Sequence, residues 1–225
     1  MTPNALAPLF AWTWLKNTGG EVSQKLLDIA HRHGWDPNAL ACIIQIESGG
    51  DPQARNRDSG ATGMIQWMPS TAKLYGTTTA DIFKMKQVEQ LDLAERYWQD
   101  VFPSPPRLVG DYYLGNFYPK AIGQADDYVI AREGEKAYDW NKTLDVSKDG
   151  ILTAGDARSV FESRYQAKSG SPLVIPPVTK PRKRTLGWLI LGGLAVFGGV
   201  KAYQWYHRQK PVRGTRGVEA YGEET

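Results

Sequence analysis

A single cysteine among 225 residues, Cys42, excludes an internal disulfide, and its neighbours Leu40, Ile43 and Ile44 suit a small core residue. Histidine is nearly as scarce. His31 and His33 stand two apart on a polar helix, which is no metal pair, and no zinc-ligand cluster can be drawn. Charge of one sign is also missing: 27 Lys and Arg against 24 Asp and Glu leave +3, too mild for a nucleic-acid partner. No internal repeat is present. No stretch reads as a convincing sheet, and residues 1–20 are a short apolar lead without a basic start or cleavage pattern, so no ordinary secretory signal is expected.

What is present is helical punctuation. The pattern predicts helices near 21–33, 37–48, 70–75 and 86–102, a mainly α domain over residues 21–140 long enough to bury one core. The second of these helices is the best marked. Asp36 is an N-cap, Pro37 occupies the first helical position, and Gly49 with Gly50 supplies the stop. Leu40, Ile43 and Ile44 stand at i, i+3 and i+4, and Glu47 falls at i+7 on the same stripe. A carboxyl group there is half buried and close to the negative end of the helix dipole, and both effects raise its pKa. Glutamic acid still protonated near neutral pH is what protonation of a glycosidic oxygen requires. The alternative is a helix-end glutamate that simply points to water.

After Glu47 the chain reads SGGDPQARNRDSGATGMIQWMPSTA, as far as Ala72. Gly60 and Gly63 bracket a turn where the backbone must approach a ligand closely or adopt positive φ. Gln66 offers both donor and acceptor to sugar hydroxyls or an N-acetyl group, and Pro69 opens a short helix. Trp67, Tyr75, Tyr112, Tyr113, Phe117 and Tyr118 suit either stacking on sugar rings or the core, and core is the commoner role.

ESGGDPQARN followed by SGATGMIQWMPSTA resembles the first motifs of the soluble lytic transglycosylase family, nearest its phage-borne branch. The resemblance implies a lysozyme-like fold with Glu47 as catalytic acid and a glycan cleft lined by Ser48, Gln66 and Met68. A later segment, DYYLGNFYPKA from Asp111 to Ala121, is similar to the family's tyrosine motif and places Tyr113 near the acid. Asn116 departs from that pattern, standing where phage relatives often carry histidine.

Glycosidases usually use two carboxylates, and here only one stands in a convincing place. Asp51, before Pro52, and Asp58, before Ser59 and Gly60, are explained by turn chemistry. A single acid fits lytic transglycosylation. In the family, the glutamate first protonates the leaving oxygen and then, as a base, activates the muramyl 6-hydroxyl to close a 1,6-anhydro ring. That chemistry needs no cofactor. Goose-type lysozymes share the fold with a similar glutamate, so hydrolysis stays open, as does a non-catalytic scaffold.

The segment DVSKDGILTAGD, Asp145 to Asp156, resembles an EF-hand loop with oxygen ligands at Asp145, Ser147, Asp149, Thr153 and Asp156 and a glycine at its sixth position. Ser147 at the third place and Asp156 rather than a bidentate Glu at the last make any Ca2+ affinity weak. A helix is expected after the loop, to about residue 167. A helix before it has little support in Asp139-Trp140-Asn141.

Residues 168–184 read as a Pro-rich basic linker. Beyond it, residues 185–206 carry Lys201 as their only charge, Trp188 near one end, and Tyr203, Trp205 and Tyr206 at the other. This is the pattern of a single transmembrane helix with interfacial aromatics. Its charge-free core, Leu186 to Val200, spans about 22 Å, so the aromatic end and a snorkelling Lys201 must complete a bilayer core of about 30 Å. Residues 207–225 form a polar tail. A wall-cutting domain with a lipid anchor suits a protein of a phage particle with an internal membrane, with peptidoglycan, lipid and other virion proteins as partners. A host-encoded, membrane-anchored wall-remodelling enzyme is the other option.

Overall fold

A computed structural model of the chain describes residues 9–168. The expected membrane span over 185–206 lies outside them. Among the described residues no helix is long and apolar enough to cross a membrane.

The order of elements is α1 (Thr13–Lys16), α2 (Gly20–His33), α3 (Pro37–Ser48), α4 (Pro69–Leu74), α5 (Thr79–Ile82), α6 (Gln87–Val101), α7 (Asp111–Phe117), β1 (Val129–Arg132), α8 (Lys136–Asn141), β2 (Ile151–Thr153) and α9 (Ala154–Gln166). The two strands pair antiparallel, Arg132 opposite Ile151, Ala131 opposite Leu152 and Val129 opposite Thr153, with a shift in register between Val129 and Ala131. This small sheet corrects the sequence reading, which found no convincing strand. Each strand is only three or four residues long, too short for an alternating pattern to stand out.

The core is organised around α3. Asn38 through Ile44 are fully buried, so the helix is enclosed on all sides rather than along one stripe. Each of Leu40, Ile43 and Ile44 contributes about 1.5–3 kcal/mol by leaving water. The ends of α3 match their sequence signals. Asp36 accepts from the backbone N–H of Asn38 at 2.8 Å and of Ala39 at 3.3 Å, and Gly49 stops the helix in the left-handed region at φ +63°.

Asp36 also ties α3 to its neighbours. Its backbone N–H donates to the Tyr112 hydroxyl on α7 at 2.8 Å, and the Tyr165 hydroxyl on α9 donates to its carboxylate at 2.6 Å.

The expected boundaries at residues 20 and 141 fall inside this core. Leu9, Trp12, Trp14 and Leu15 are buried in it, and the Trp14 indole N–H donates to the Ala41 carbonyl at 3.1 Å. From the other side Phe161 of α9 is fully buried and stacks on Tyr113 with centroids 5.8 Å apart. Residues 9–20 of the lead and the Asp-rich appendix are therefore parts of one packed unit. A helix, α8, does precede the Asp145–Asp156 loop.

Arg158 of α9 fastens the loop that follows α7. It is 3% exposed, and its guanidinium donates to Asp111 at 2.8 Å, to Asp126 at 2.6 Å, and to the carbonyls of Gln124 and Ala121 at 2.7 and 3.3 Å. Asp111 is as deeply buried as its partner, so the pair stands only while both charges are present. Replacing Arg158 with Leu strands the Asp111 carboxylate, and thermal denaturation should show a loss of about 3–5 kcal/mol.

Candidate active site

Glu47 occupies the next-to-last position of α3, half buried, where the helix leaves the core. Burial pushes its carboxyl pKa up to about 7, and a hydrogen bond from the Asn116 side chain pulls in the opposite direction. The helix terminus adds to the upward push, because the last carbonyls of α3 point their negative ends toward the same region. Near neutral pH the group therefore exchanges between acid and carboxylate.

Two residues of α7 face it. Asn116 makes the hydrogen bond. Tyr113, one turn earlier on α7, interacts electrostatically with Glu47, and burial raises its hydroxyl pKa well beyond the ordinary phenol range. Its ring is stacked between Phe117 and Phe161, with centroid distances of 5.7 and 5.8 Å.

The loop after α3 is a hydrogen-bonded hairpin-like turn. Thr62 and Trp67 exchange backbone bonds at 3.0 and 2.8 Å, and the Asn56 N–H donates to Ala61 at 2.8 Å. Ser48 joins the helix end to this turn: its hydroxyl donates to the Met64 carbonyl at 2.8 Å and accepts from the Gly50 N–H at 3.1 Å. Gln66 is buried, with a positive φ of 54°, a conformation that costs a non-glycine residue about 1 kcal/mol or more. Its amide nitrogen donates to the Gly63 and Ala54 carbonyls at 2.9 and 3.4 Å and so braces the turn. Met68 is buried and supplies the N-terminal boundary of α4. The structure thus brings Glu47 and Tyr113 together directly and links Ser48 and Gln66 to them through the loop backbone.

Gln90 of α6 holds this loop from behind, and the sequence reading overlooked it. Fully buried, it accepts from the Met64 N–H at 2.7 Å and donates to the Pro52 and Ile82 carbonyls at 2.7 and 3.0 Å. Gly63 is where it comes closest. A side chain there would begin 2.5 Å from the Gln90 amide oxygen, and φ is +84°, so glycine is required twice over. Asn116 was the other omission as a site residue. The signals for it in the sequence were its place one turn after Tyr113 in the same motif and its departure from the histidine that phage relatives often carry there.

Asp51 and Asp58 are both exposed, as turn residues should be, and Asp51 accepts from the Gln53 N–H at 2.8 Å. Of the aromatics considered for sugar stacking, Trp67, Tyr112, Tyr113, Phe117 and Tyr118 are buried. Tyr75 is only partly so, and its hydroxyl donates to Asp100 at 2.6 Å.

In the Asp145–Asp156 loop the carboxylates among the expected ligands accept from the loop's own donors and from Tyr138 of α8. Asp145 accepts from the Tyr138 and Ser147 hydroxyls at 2.7 and 3.1 Å and from the Lys148 and Gly150 N–H groups at 2.7 and 3.0 Å. Asp149 accepts from the Ile151 N–H at 2.8 Å. Asp156 accepts from both the N–H and hydroxyl of Thr153, which returns a bond to the Asp156 N–H and caps α9. No group of three or more His, Cys, Asp or Glu able to hold a metal is found among the described residues. The loop's order is accounted for by these bonds.

Residues 26–92 match the family described as the transglycosylase SLT domain. The chain is also similar to the transglycosylase of Enterobacteria phage PRD1, 34% identical over 70 residues. That alignment covers 31% of this chain and 23% of the phage protein, so the chain spans well under two thirds of that relative. The SLT match takes in Glu47, Ser48, Gln66, Met68 and Gln90. Tyr113 and Asn116 lie beyond it and join the site only through the fold. The mainly helical architecture agrees with the lysozyme-like expectation.

A carboxyl group whose pKa is raised on folding destabilises the native state as pH climbs from the ordinary carboxylate value through the raised one, since the unfolded chain releases its proton first. Glu47→Gln removes that penalty. Melting at pH 8 should show the variant more stable than the parent by roughly 1–3 kcal/mol, with the difference vanishing below about pH 4.

Proposed function

We propose that the chain is a peptidoglycan lytic transglycosylase that cleaves the β-1,4 bond between N-acetylmuramic acid and N-acetylglucosamine. The observation that carries this reading is Glu47, with a pKa of about 7 at the exposed end of a buried helix, inside the segment that matches the SLT domain. In its protonated form Glu47 gives its proton to the glycosidic oxygen as the bond to the anomeric carbon breaks. The same carboxylate then takes the proton of the muramyl 6-hydroxyl, whose oxygen closes the 1,6-anhydro ring. The substrate's own acetamido group supports the positive charge that develops at the anomeric carbon, which removes the need for a second carboxylate. A pKa near the working pH serves both halves of the cycle, since neither proton transfer then runs far uphill.

For its setting we propose a phage particle, in which the apolar segment 185–206 anchors the enzyme to lipid and the catalytic domain opens the wall locally for genome entry. The similarity to a phage transglycosylase and the aromatic-flanked sequence of that segment, with Lys201 its one charge, support this. Detection of the protein in purified particles is the expected result, and its presence only in host envelopes would assign it to wall remodelling instead.

The reaction itself is tested by digesting purified peptidoglycan with the full-length chain and with Glu47→Gln, followed by mass spectrometry of the released sugars. Anhydro-muropeptides from the parent and at least about 1,000-fold less from the variant are expected. Reducing-end products would make the enzyme a goose-type lysozyme-like hydrolase, and no product from a folded parent would leave a non-catalytic scaffold.

A further inference from the structure

Glu47 lies two residues before a pair of glycines. Gly49 and Gly50 both sit in the left-handed region, at φ +63° and +81°, and two glycines in a row are the most permissive backbone a chain can place there. Any play in them passes straight to the last turn of α3, which ends on Glu47 and Ser48. Three contacts remove that play. The Gly50 N–H donates to the Ser48 hydroxyl at 3.1 Å, and Trp14 packs so close that a Cβ on Gly50 would begin 2.5 Å from the Trp14 side chain. The third contact comes from α6, where the Gln87 side-chain amide donates to the Gly50 carbonyl at 2.8 Å. This amide does not serve its own helix, since the start of α6 is closed by Glu89, which accepts from the Lys86 N–H at 2.6 Å. Gln90 stands three residues later on the same helix face, and its amide takes the Pro52 carbonyl and the Met64 N–H, each at 2.7 Å. The two glutamines thus grip the loop where it leaves α3, at Gly50 and Pro52, and where it returns, at Met64. The Met64 carbonyl in turn accepts from the Ser48 hydroxyl at 2.8 Å, so the circuit closes on the residue next to Glu47.

We propose that Gln87 is a positioning residue of the glycan-cleaving site: it locks the two glycines behind Glu47 and, together with Gln90, holds the end of α3 in register with the loop that carries Gln66. This rests on the transglycosylase reading of the site. The lock acts on the chemical step. A general acid must lie within hydrogen-bond reach of the glycosidic oxygen, and a displacement of about 1 Å costs up to about 100-fold in rate. Its loss therefore shows in kcat, while KM, which reflects contacts spread along the glycan, changes little.

The test is steady-state digestion of soluble peptidoglycan fragments by the full-length parent, Gln87→Met and Gln87→Lys, with a melting curve for each. Gln87 is the member of the pair to vary, because it is only half buried whereas Gln90 is enclosed in the core. Gln87→Met keeps the length of the side chain and loses the donor. Its kcat should fall about tenfold, with KM within about twofold of the parent value. Gln87→Lys supplies an N–H donor again at similar reach and should recover most of the parent kcat. A folded Gln87→Met with the parent kcat would overturn the proposal. So would a lower melting temperature with unchanged kcat and KM, which is the mark of a purely structural bond, and so would a Gln87→Lys as slow as Gln87→Met. A parent that digests nothing sinks the transglycosylase reading and this proposal with it, whereas an active parent beside unaffected variants sinks only the role of Gln87.

Discussion

The enclosure of α3 on every side is the constraint from which the rest of the structure follows. A helix with no solvent-facing side cannot place a charged residue along its length, and Glu47 is carried only at its last turn. That turn is also where the helix dipole opposes a negative charge and where the chain must change direction. The elevated pKa of Glu47 is thus a result of geometry: a carboxyl group at the mouth of an apolar helix, half withdrawn from water, with one amide for company.

Polar side chains buried around this helix do the positioning. Gln90 holds the loop from Pro52 to Met64 against α6, Arg158 holds the turn after α7 against α9, and Asp36 joins the start of α3 to α7 and α9. Each saturates most of its hydrogen-bonding groups and is costly to remove for that reason. They leave little freedom to the elements that carry Glu47, Gln66 and Tyr113. Gln66 retains a left-handed backbone because its own amide and the surrounding turn over-determine it.

Much of this was legible beforehand wherever the signal was local. Helix 37–48 was read to the residue because Asp36, Pro37 and Gly49 act on their immediate neighbours. The turn roles of Asp51 and the capping role of Asp36 followed from the same short-range chemistry. The two-stranded sheet was missed because strands of three or four residues carry almost no pattern. The partition at residues 20 and 141 failed because an apolar lead and an Asp-rich segment look detached until their Trp14 and Phe161 are seen inside the core. The Asp145–Asp156 loop was read from its spacing, but spacing does not reveal which way a carboxylate turns, and here the carboxylates face the loop's own N–H and O–H groups.

The sequence by itself determined the mainly helical class, the bounds of the central helix, and Glu47 as the one carboxyl group in a place suited to acid chemistry. All three depend on residues within a few positions of one another. Only the tertiary structure decided that Asn116 joins Tyr113 beside that carboxyl group, that Gln90 and Arg158 fix the loops around it, and that burial sets its pKa near 7. Those contacts join α3, α6, α7 and α9 across long stretches of chain, and a buried polar group's partner is chosen by which surfaces the whole core presses together.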